Sequence, residues 1–306
     1  MQLTFKQLEA FVAVFDQGTF DGAARHLDVA QSAISRQIQE LEQWFGFSLF
    51  DRSGRSAKPN TVAREVIGQV RHVLLQRDIF DSCLTGGEAV ARKLRLGITE
   101  FTALSWLPDV VRAVAVEFPR IAIEPVVDAS VNLKTQLMAG RLDLVIVPDA
   151  FTQESLVRID LPQVRNSLYG AAEMSVPRPP IALSALRGFN WLIESKNSGS
   201  GIILGEWVNS QIGKPATQLN CNSLVAMVGL ALSGLGIAFL PDMIALRHVK
   251  AGKLRKLDVQ PPPPAVPYVA LVCADSFSPV IRRILNIIVD TCAGKAVREE
   301  TDDAQV

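Results

Sequence analysis

Apolar positions in the first fifty residues recur at threes and fours, the spacing of one helix face. Phe5, Leu8, Phe11, Val12 and Phe15 make a first amphipathic helix ending at Gly18, where a left-handed cap costs least. Ala23, Ala24 and Leu27 share one face of a short helix, and Ile34, Ile38 and Leu41 one face of the next. The small Ala23 and Ala24 let two helices approach closely and cross steeply, as a helix-turn-helix requires. Phe47, Leu49 and Phe50 then alternate into the turn-rich run 51–60, which reads as a β-wing. Thr61 to about Leu84 is a longer helix. Its Val62, Val66, Val70, Val73, Phe80 and Leu84 form a near-heptad stripe, broken once at Arg77. Such a stripe packs on its own domain or pairs with a second copy. Because the winged domain is already closed by its own helices, dimerisation through Val66, Val70, Val73, Phe80 and Leu84 is the expectation.

After a hinge at Thr85–Gly87, the pattern from Lys93 changes to strands alternating with helices. Strands over 94–98, 121–127 and 142–147 enclose helices over 104–118 and 131–139, implying a parallel sheet covered on both faces. A second unit runs from about Leu168 to Val259, with strands at 191–195 and 236–240 and helices at 202–212 and 224–232. The apolar run Leu224–Leu240 is broken by Gly229, Gly234 and Gly236, so it reads as helix, turn and strand, with no membrane span. The proline-rich run 261–267 cannot join a central strand. It is a stiff crossing that returns the chain to the first lobe through strand 268–274 and helix 279–292. Residues 295–306 are polar and expected to fray.

Composition changes this picture little. At 306 residues with 48% apolar content the chain has room for two or three domains. Net charge is zero, and the first sixty residues hold six Lys/Arg against seven Asp/Glu. DNA affinity must therefore come from local placement, not from a global basic footprint. The outward face of the second short helix offers Gln31, Ser32, Ser35, Arg36 and Gln39, hydrogen-bonders plus one arginine, which suits base edges in a major groove. Alternatively Ser32 caps the helix, or some of the five touch only phosphate. Arg52, Arg55 and Lys58 in the wing are placed for backbone phosphate, with Arg52 alternatively holding the wing to its own domain.

The four cysteines are scattered without a C-x-x-C, which argues against disulfides and zinc and fits a reducing cytoplasm. The N-terminus has no apolar leader core, so export is not expected. No G-x-S-x-G, H-E-x-x-H or P-loop occurs, and the pair Gly234 and Gly236 lacks the third glycine of a dinucleotide fingerprint. His26, His72 and His248 stand alone. The expectation is no catalysis, no metal and no cofactor.

The run FVAVFDQGTFDGAARHLDVAQSAISRQIQELEQWFGFSLFDR, together with RLGI, LMAGRLDLVIV and LALSGLGIAFLPD further on, resembles the LysR-type transcriptional regulators. The resemblance covers nearly the whole chain. One departure is Arg64, which stands where the family's T-x-x-G pattern after the wing has glycine. The resemblance implies a multidomain fold: an all-α winged helix-turn-helix head at 1–60, a linker helix and hinge at 61–90, and a two-lobed α/β effector domain at 91–306, like periplasmic binding proteins. Lobe I would span 91–163 and 267–294, and lobe II 164–266. It further implies a cytoplasmic regulator whose partners are double-stranded DNA, a second copy in homodimers or homotetramers, RNA polymerase and a small-molecule effector, with no membrane. By register the effector positions are Thr99, Glu100, Phe101, Thr102, Ser130, Ser195, Ser200, Asn222 and Ser223. Thr102 and Ser130, read as standing just before helices, suit a carboxylate or are simply N-caps, and Phe101 suits an apolar part of the same ligand. Glu100 would repel an acid unless it faces away, or it would welcome a cationic or hydroxylated ligand. Two rivals remain at this stage: a solute-binding module feeding a transporter, and an enzyme on the same two-lobed scaffold.

Overall fold

The computed structural model describes residues 3–51, 56–84, 92–150 and 155–303. The head is built from α1 (Phe5–Gln17), α2 (Phe20–His26) and α3 (Gln31–Phe45), followed by the short antiparallel strands β1 (Phe50–Asp51) and β2 (Lys58–Pro59). Thr4 caps α1 through a capping box with Gln7, and Gly18 ends it at φ 67°. Thr19 caps α2. A side chain at Gly22 would stand 2.8 Å from the Thr19 hydroxyl, so only glycine fits that turn. Phe11, Val14, Ala23, Ile34, Ile38, Leu41 and Leu49 form the head's core. Glu42 fastens the wing to α3 by accepting the amide of Leu49 at 2.7 Å.

The linker helix α4 (Thr61–Leu84) starts where Asn60 accepts the amide of Ala63. Its inner face carries Ala63, Ile67 and Val70, with Val66 and Leu74 half-buried beside them. This corrects the stripe. Val70 is only 6% exposed and belongs to the core of its own head, so it offers no surface to a second copy. Periodicity alone places the apolar face within one residue, and that residue decides which side packs inward. Val73, by contrast, is 43% exposed; the side chains of Phe80 and Leu84 lie outside the described residues.

Lobe I comprises β3 (Arg92–Ile98), α5 (Glu100–Leu104), α6 (Leu107–Glu117), β4 (Ile121–Val127), α7 (Ser130–Met138), β5 (Leu144–Pro148) and β6 (Leu156–Val164). Lobe II follows with β7 (Asn166–Ala171), β8 (Ile181–Ala182), β9 (Asn190–Glu194), α8 (Gly199–Ile212), β10 (Thr217–Cys221), α9 (Leu224–Leu232), β11 (Ile237–Pro241), α10 (Asp242–Lys250), β12 (Leu254–Leu257) and β13 (Val259–Gln260). The chain then returns through β14 (Val266–Cys273) and α11 (Pro279–Asp303). The two five-stranded sheets have the orders β4-β3-β5-β14-β6 and β10-β9-β11-β7-β12.

Several expectations are corrected here. Both sheets are mixed, not wholly parallel, because β14 runs antiparallel to β5 and β6, and β7 antiparallel to β11 and β12. The helix expected over 104–118 starts later, as α6 at Leu107, and is preceded by the unexpected α5, the two separated where Ser105 and Trp106 bond back to Phe101 and Thr102. Strand β14 starts at Val266 and includes Pro267. The tail stays helical to Asp303, with Lys295 held by the carbonyl of Ser105 and, at 2.9 Å, by Asp109.

Candidate nucleic-acid interface and effector cleft

Helix α3 carries its apolar residues Ile34, Ile38 and Leu41 inward at 0% exposure. Four of the five residues singled out on its other side, Gln31, Ser32, Arg36 and Gln39, are exposed, and Ser35 is half-buried. The N-cap is Ala30 and makes no side-chain cap bond, which removes the reading of Ser32 as a cap. The first-turn amides of α3 therefore have no side-chain partner of their own. Gln31 donates to the Ser35 hydroxyl at 2.9 Å. The Arg36 guanidinium pairs with Glu40 at 2.8 Å, and Gln7 donates to the other oxygen of Glu40 at 3.0 Å. Glu40 is thereby held below the usual carboxylate range, by Arg36 first. In the wing Lys58 is exposed on β2, opposite Asp51. Arg52 and Arg55 lie outside the described residues.

The two lobes face each other across the ends of their strands, and the chain itself closes the gap. The amide of Gly199 at the start of α8 donates to the Ser130 hydroxyl at 3.1 Å, and the amide of Val131 donates to the carbonyl of Asn197 at 3.1 Å. Glu100 reaches across from lobe I. Its carboxylate accepts the Ser223 hydroxyl at 3.1 Å and the backbone amide of Leu224, at the start of α9. The carboxylate expected to face a ligand thus occupies the helix N-terminus where an external carboxylate would bind.

Other effector positions fall differently from expectation. Thr102 does not precede a helix: it lies inside α5, fully buried, and Thr99 is the N-cap that accepts its amide. Phe101 is 4% exposed and packs edge-on against Trp106 and tilted against Tyr268, each at 5.3 Å. It is a core residue, because the chain turn after Thr99 points it into lobe I. Ser130 is buried and spent on the bond between lobes. Ser200 donates to Glu194 at 2.6 Å, and Ser195 accepts the amide of Asn197. Ser223 caps α9, and Asn222 is exposed.

Two residues here were not singled out from the sequence. Glu194 ends β9 and holds the hydroxyls of Ser198 and Ser200; burial raises its carboxyl above the ordinary 4.5. Tyr268 is buried beside it, its hydroxyl pushed far upward by desolvation and by Glu194. An acid closing an otherwise apolar strand in WLIES was the available signal. Among the described residues no group of three or more His, Cys, Asp or Glu is placed to hold a metal, and no helix is long and apolar enough to cross a membrane.

Comparison with known proteins gives two family matches. Residues 5–64 match the bacterial regulatory helix-turn-helix protein of the lysR family, and residues 87–293 match the LysR substrate binding domain. Among curated relatives, ClcR of Pseudomonas putida is 25% identical, with 94% of this chain and 98% of that protein covered. CbbR of Rhodospirillum rubrum is 26% identical, with 83% and 85% covered. Among solved structures, a full-length OxyR variant from Pseudomonas aeruginosa superimposes with a TM-score of 0.73 at 20% identity, 95% of each chain being covered. Full-length LysG from Corynebacterium glutamicum with bound effector Arg gives 0.66 at 20% identity, with 95% of this chain and 99% of that one covered.

Proposed function

The chain belongs to the LysR family of transcriptional regulators, a DNA-binding helix-turn-helix head joined to an effector-binding domain, and from that premise we propose which of its residues do the work. Helix α3 enters the major groove with Gln31, Ser35 and Arg36 on base edges and Ser32 and Gln39 on bases or backbone. Gln pairs bidentately with adenine and Arg with guanine. The wing, through Lys58 with Arg52 and Arg55, holds phosphate and sets the salt dependence. One observation carries this reading: the polar side of α3 faces outward while its apolar side is spent on the head's core. On DNA, Arg36 exchanges the carboxylate of Glu40 for a base, so the ion pair holds the guanidinium extended until then.

The protein works in the cytoplasm as a homodimer or homotetramer, with Val73 and the far half of α4 at the contact, and it reaches RNA polymerase from the promoter. It catalyses no reaction. A small-molecule effector binds between the lobes, at Thr99, Glu100, Ser130, Ser195, Ser200, Asn222 and Ser223. Because Glu100 already bridges those lobes, the effector must bind the arrangement it favours more tightly than Glu100 holds its own; equal affinity for both would shift nothing. Footprinting of promoter DNA tests the head: protection of a dyad site is expected, with half-sites one helical turn or a multiple apart. Unchanged operator binding by the double variant Gln31→Ala, Arg36→Ala would remove the assignment of α3.

A further inference from the structure

We propose that the turn between α10 and β12 is a second DNA-contacting surface, which grips the phosphates of duplex flanking the half-sites. Between Asp242 and Asp258 the sequence holds Arg247, His248, Lys250, Lys253, Arg255 and Lys256 and no acid, in a chain whose net charge is zero. The fold gathers these residues. Arg247, His248 and Lys250 occupy the last turn of α10. Gly252, at φ 67°, then reverses the chain, and the Lys253 amide donates to the His248 carbonyl at 2.9 Å. β12 follows as the edge strand of the lobe II sheet. It starts opposite Ala171, at the end of β7 farthest from Asn166, where the chain enters from lobe I. The cations therefore stand at the outer end of lobe II, remote from the cleft.

Arg247, Lys250, Lys253 and Lys256 are exposed. The fold itself uses two of the cations: Lys256 pairs with Asp242 at 3.1 Å, and Arg255 donates to the Met174 carbonyl. Among the described residues, Arg247, Lys250 and Lys253 pair with no carboxylate. Arg247 Nε donates instead to the imidazole of His248 at 3.1 Å. Burial first, then Arg247 and Lys253, hold that imidazole below its ordinary range, so like charges crowd here. A helix C-terminus accounts for cations in the last turn of α10. It does not account for Lys253 beyond the turn, nor for crowding without an acid, which costs the folded state self-repulsion. The partner follows from charge. The chain belongs to a DNA-binding family, yet its first sixty residues hold six Lys/Arg against seven Asp/Glu, and Arg36 among them pairs with Glu40. Phosphate contacts supply much of the affinity of a protein for DNA, and the head is poorly furnished for them. A duplex is the polyanion that operator binding brings to this protein, and three unpaired cations on one turn suit its backbone. The duplex that reaches them lies beyond the half-sites held by α3. This rests on the head binding DNA, not on which residues of α3 read bases.

Salt titration of binding by the full chain tests this, on the footprinted operator with about 5 or about 40 further base pairs on each side, the longer flank extending ~140 Å at about 3.4 Å per pair. Wild type is expected to bind the longer duplex at least about tenfold more tightly at low salt. The triple variant Arg247→Gln, Lys250→Gln, Lys253→Gln should lose that gain. On the longer duplex it should flatten the slope of log binding constant against log salt by about 2–3, at about 0.9 per phosphate contact. On the shorter duplex its slope should stay within about 0.5 of wild type, which also shows that the variant folds. Removing equal charge elsewhere on lobe II, by Arg178→Gln, Arg187→Gln, Lys214→Gln, all exposed, should change neither slope. No gain from the longer flank, or a triple-variant slope equal to wild type on both duplexes, would overturn the proposal and leave an acidic protein surface as the partner of this turn. An equal flattening on the shorter duplex, or an equal loss from the Arg178, Arg187 and Lys214 variant, would overturn it too. Failure of wild type to bind the shorter duplex would instead remove the reading of the head, and this proposal with it.

Discussion

Replacing Glu100 by Ala removes an acidic side chain that crosses from lobe I to the start of α9. Two bonds go with it, to the Ser223 hydroxyl and the Leu224 amide. A hydrogen bond to a charged group contributes about 1.5–3 kcal/mol, and a carboxylate at a helix N-terminus a further ~0.3–1 kcal/mol. Glu100 is half-buried, so the low end applies to each, and some of the loss is regained when water reaches the freed groups. A net cost of about 2–3 kcal/mol to the closed arrangement follows, a population change of roughly 30- to 150-fold at 1.4 kcal/mol per decade. The reporters are the other contacts across the gap, the Gly199 amide on Ser130 and the Val131 amide on Asn197. If the lobes open as units, exchange at both amides rises together, because protection tracks the opening equilibrium. Hydrogen–deuterium exchange of the full chain should show both accelerating by at least tenfold in Glu100→Ala. Unchanged exchange at Gly199 and Val131 would refute the argument that Glu100 holds the lobes, whatever happens at Leu224 itself.

Other outcomes follow from the same residues. Arg36→Ala should lower operator binding about tenfold to hundredfold and relax the preference at one base pair, as read by competition with altered operators. Lys58→Ala should weaken all sequences alike and flatten the slope of log binding constant against log salt by about 0.9, visible in a salt titration. Ile38→Ala, at a position with no exposure in the head's core, should cost about 2–5 kcal/mol in denaturant unfolding. Glu194 gives a pH dependence. Its folded pKa is raised above 4.5, so the unfolded chain ionises first and stability falls as pH rises from 4.5 towards the folded value. The melting temperature of Glu194→Gln relative to wild type should therefore climb over that interval, and a gap that stays flat with pH would contradict it.

Much of the head was legible because its signals are local. Gly18, Thr19 and the pair Ala23 and Ala24 each dictate a cap or a close crossing within a few residues, and the structure has those elements. The linker stripe was legible only to within one position, since a 3.6-residue period observed through valines at fours and threes admits two neighbouring faces. Val70 shows which face won. In the two-lobed domain β3, β4, β5, β9, β11 and β14 and the helices α6 to α9 and α11 were legible, whereas β6, β10, β12, α5 and α10 were not, nor was the antiparallel pairing of β7 and β14. Strand direction in a sheet depends on partners far away in the chain, and no single segment encodes it.

The sequence by itself determined the kind of the head's helices, of most lobe I strands and of the α8, α9 and α11 helices, and the outward polar face of α3, because alternation and helical spacing are properties of neighbouring residues. Only the tertiary structure decided the fate of Glu100, Phe101, Thr102 and Glu194. All four occupy strand ends and first helical turns, where a polar side chain is equally suited to a ligand, a cap or the other lobe. What separates those uses is which backbone amide or ring arrives within 3 or 5 Å. That is settled by packing between segments about 70 to 170 residues apart, from Glu194 with Tyr268 to Phe101 with Tyr268.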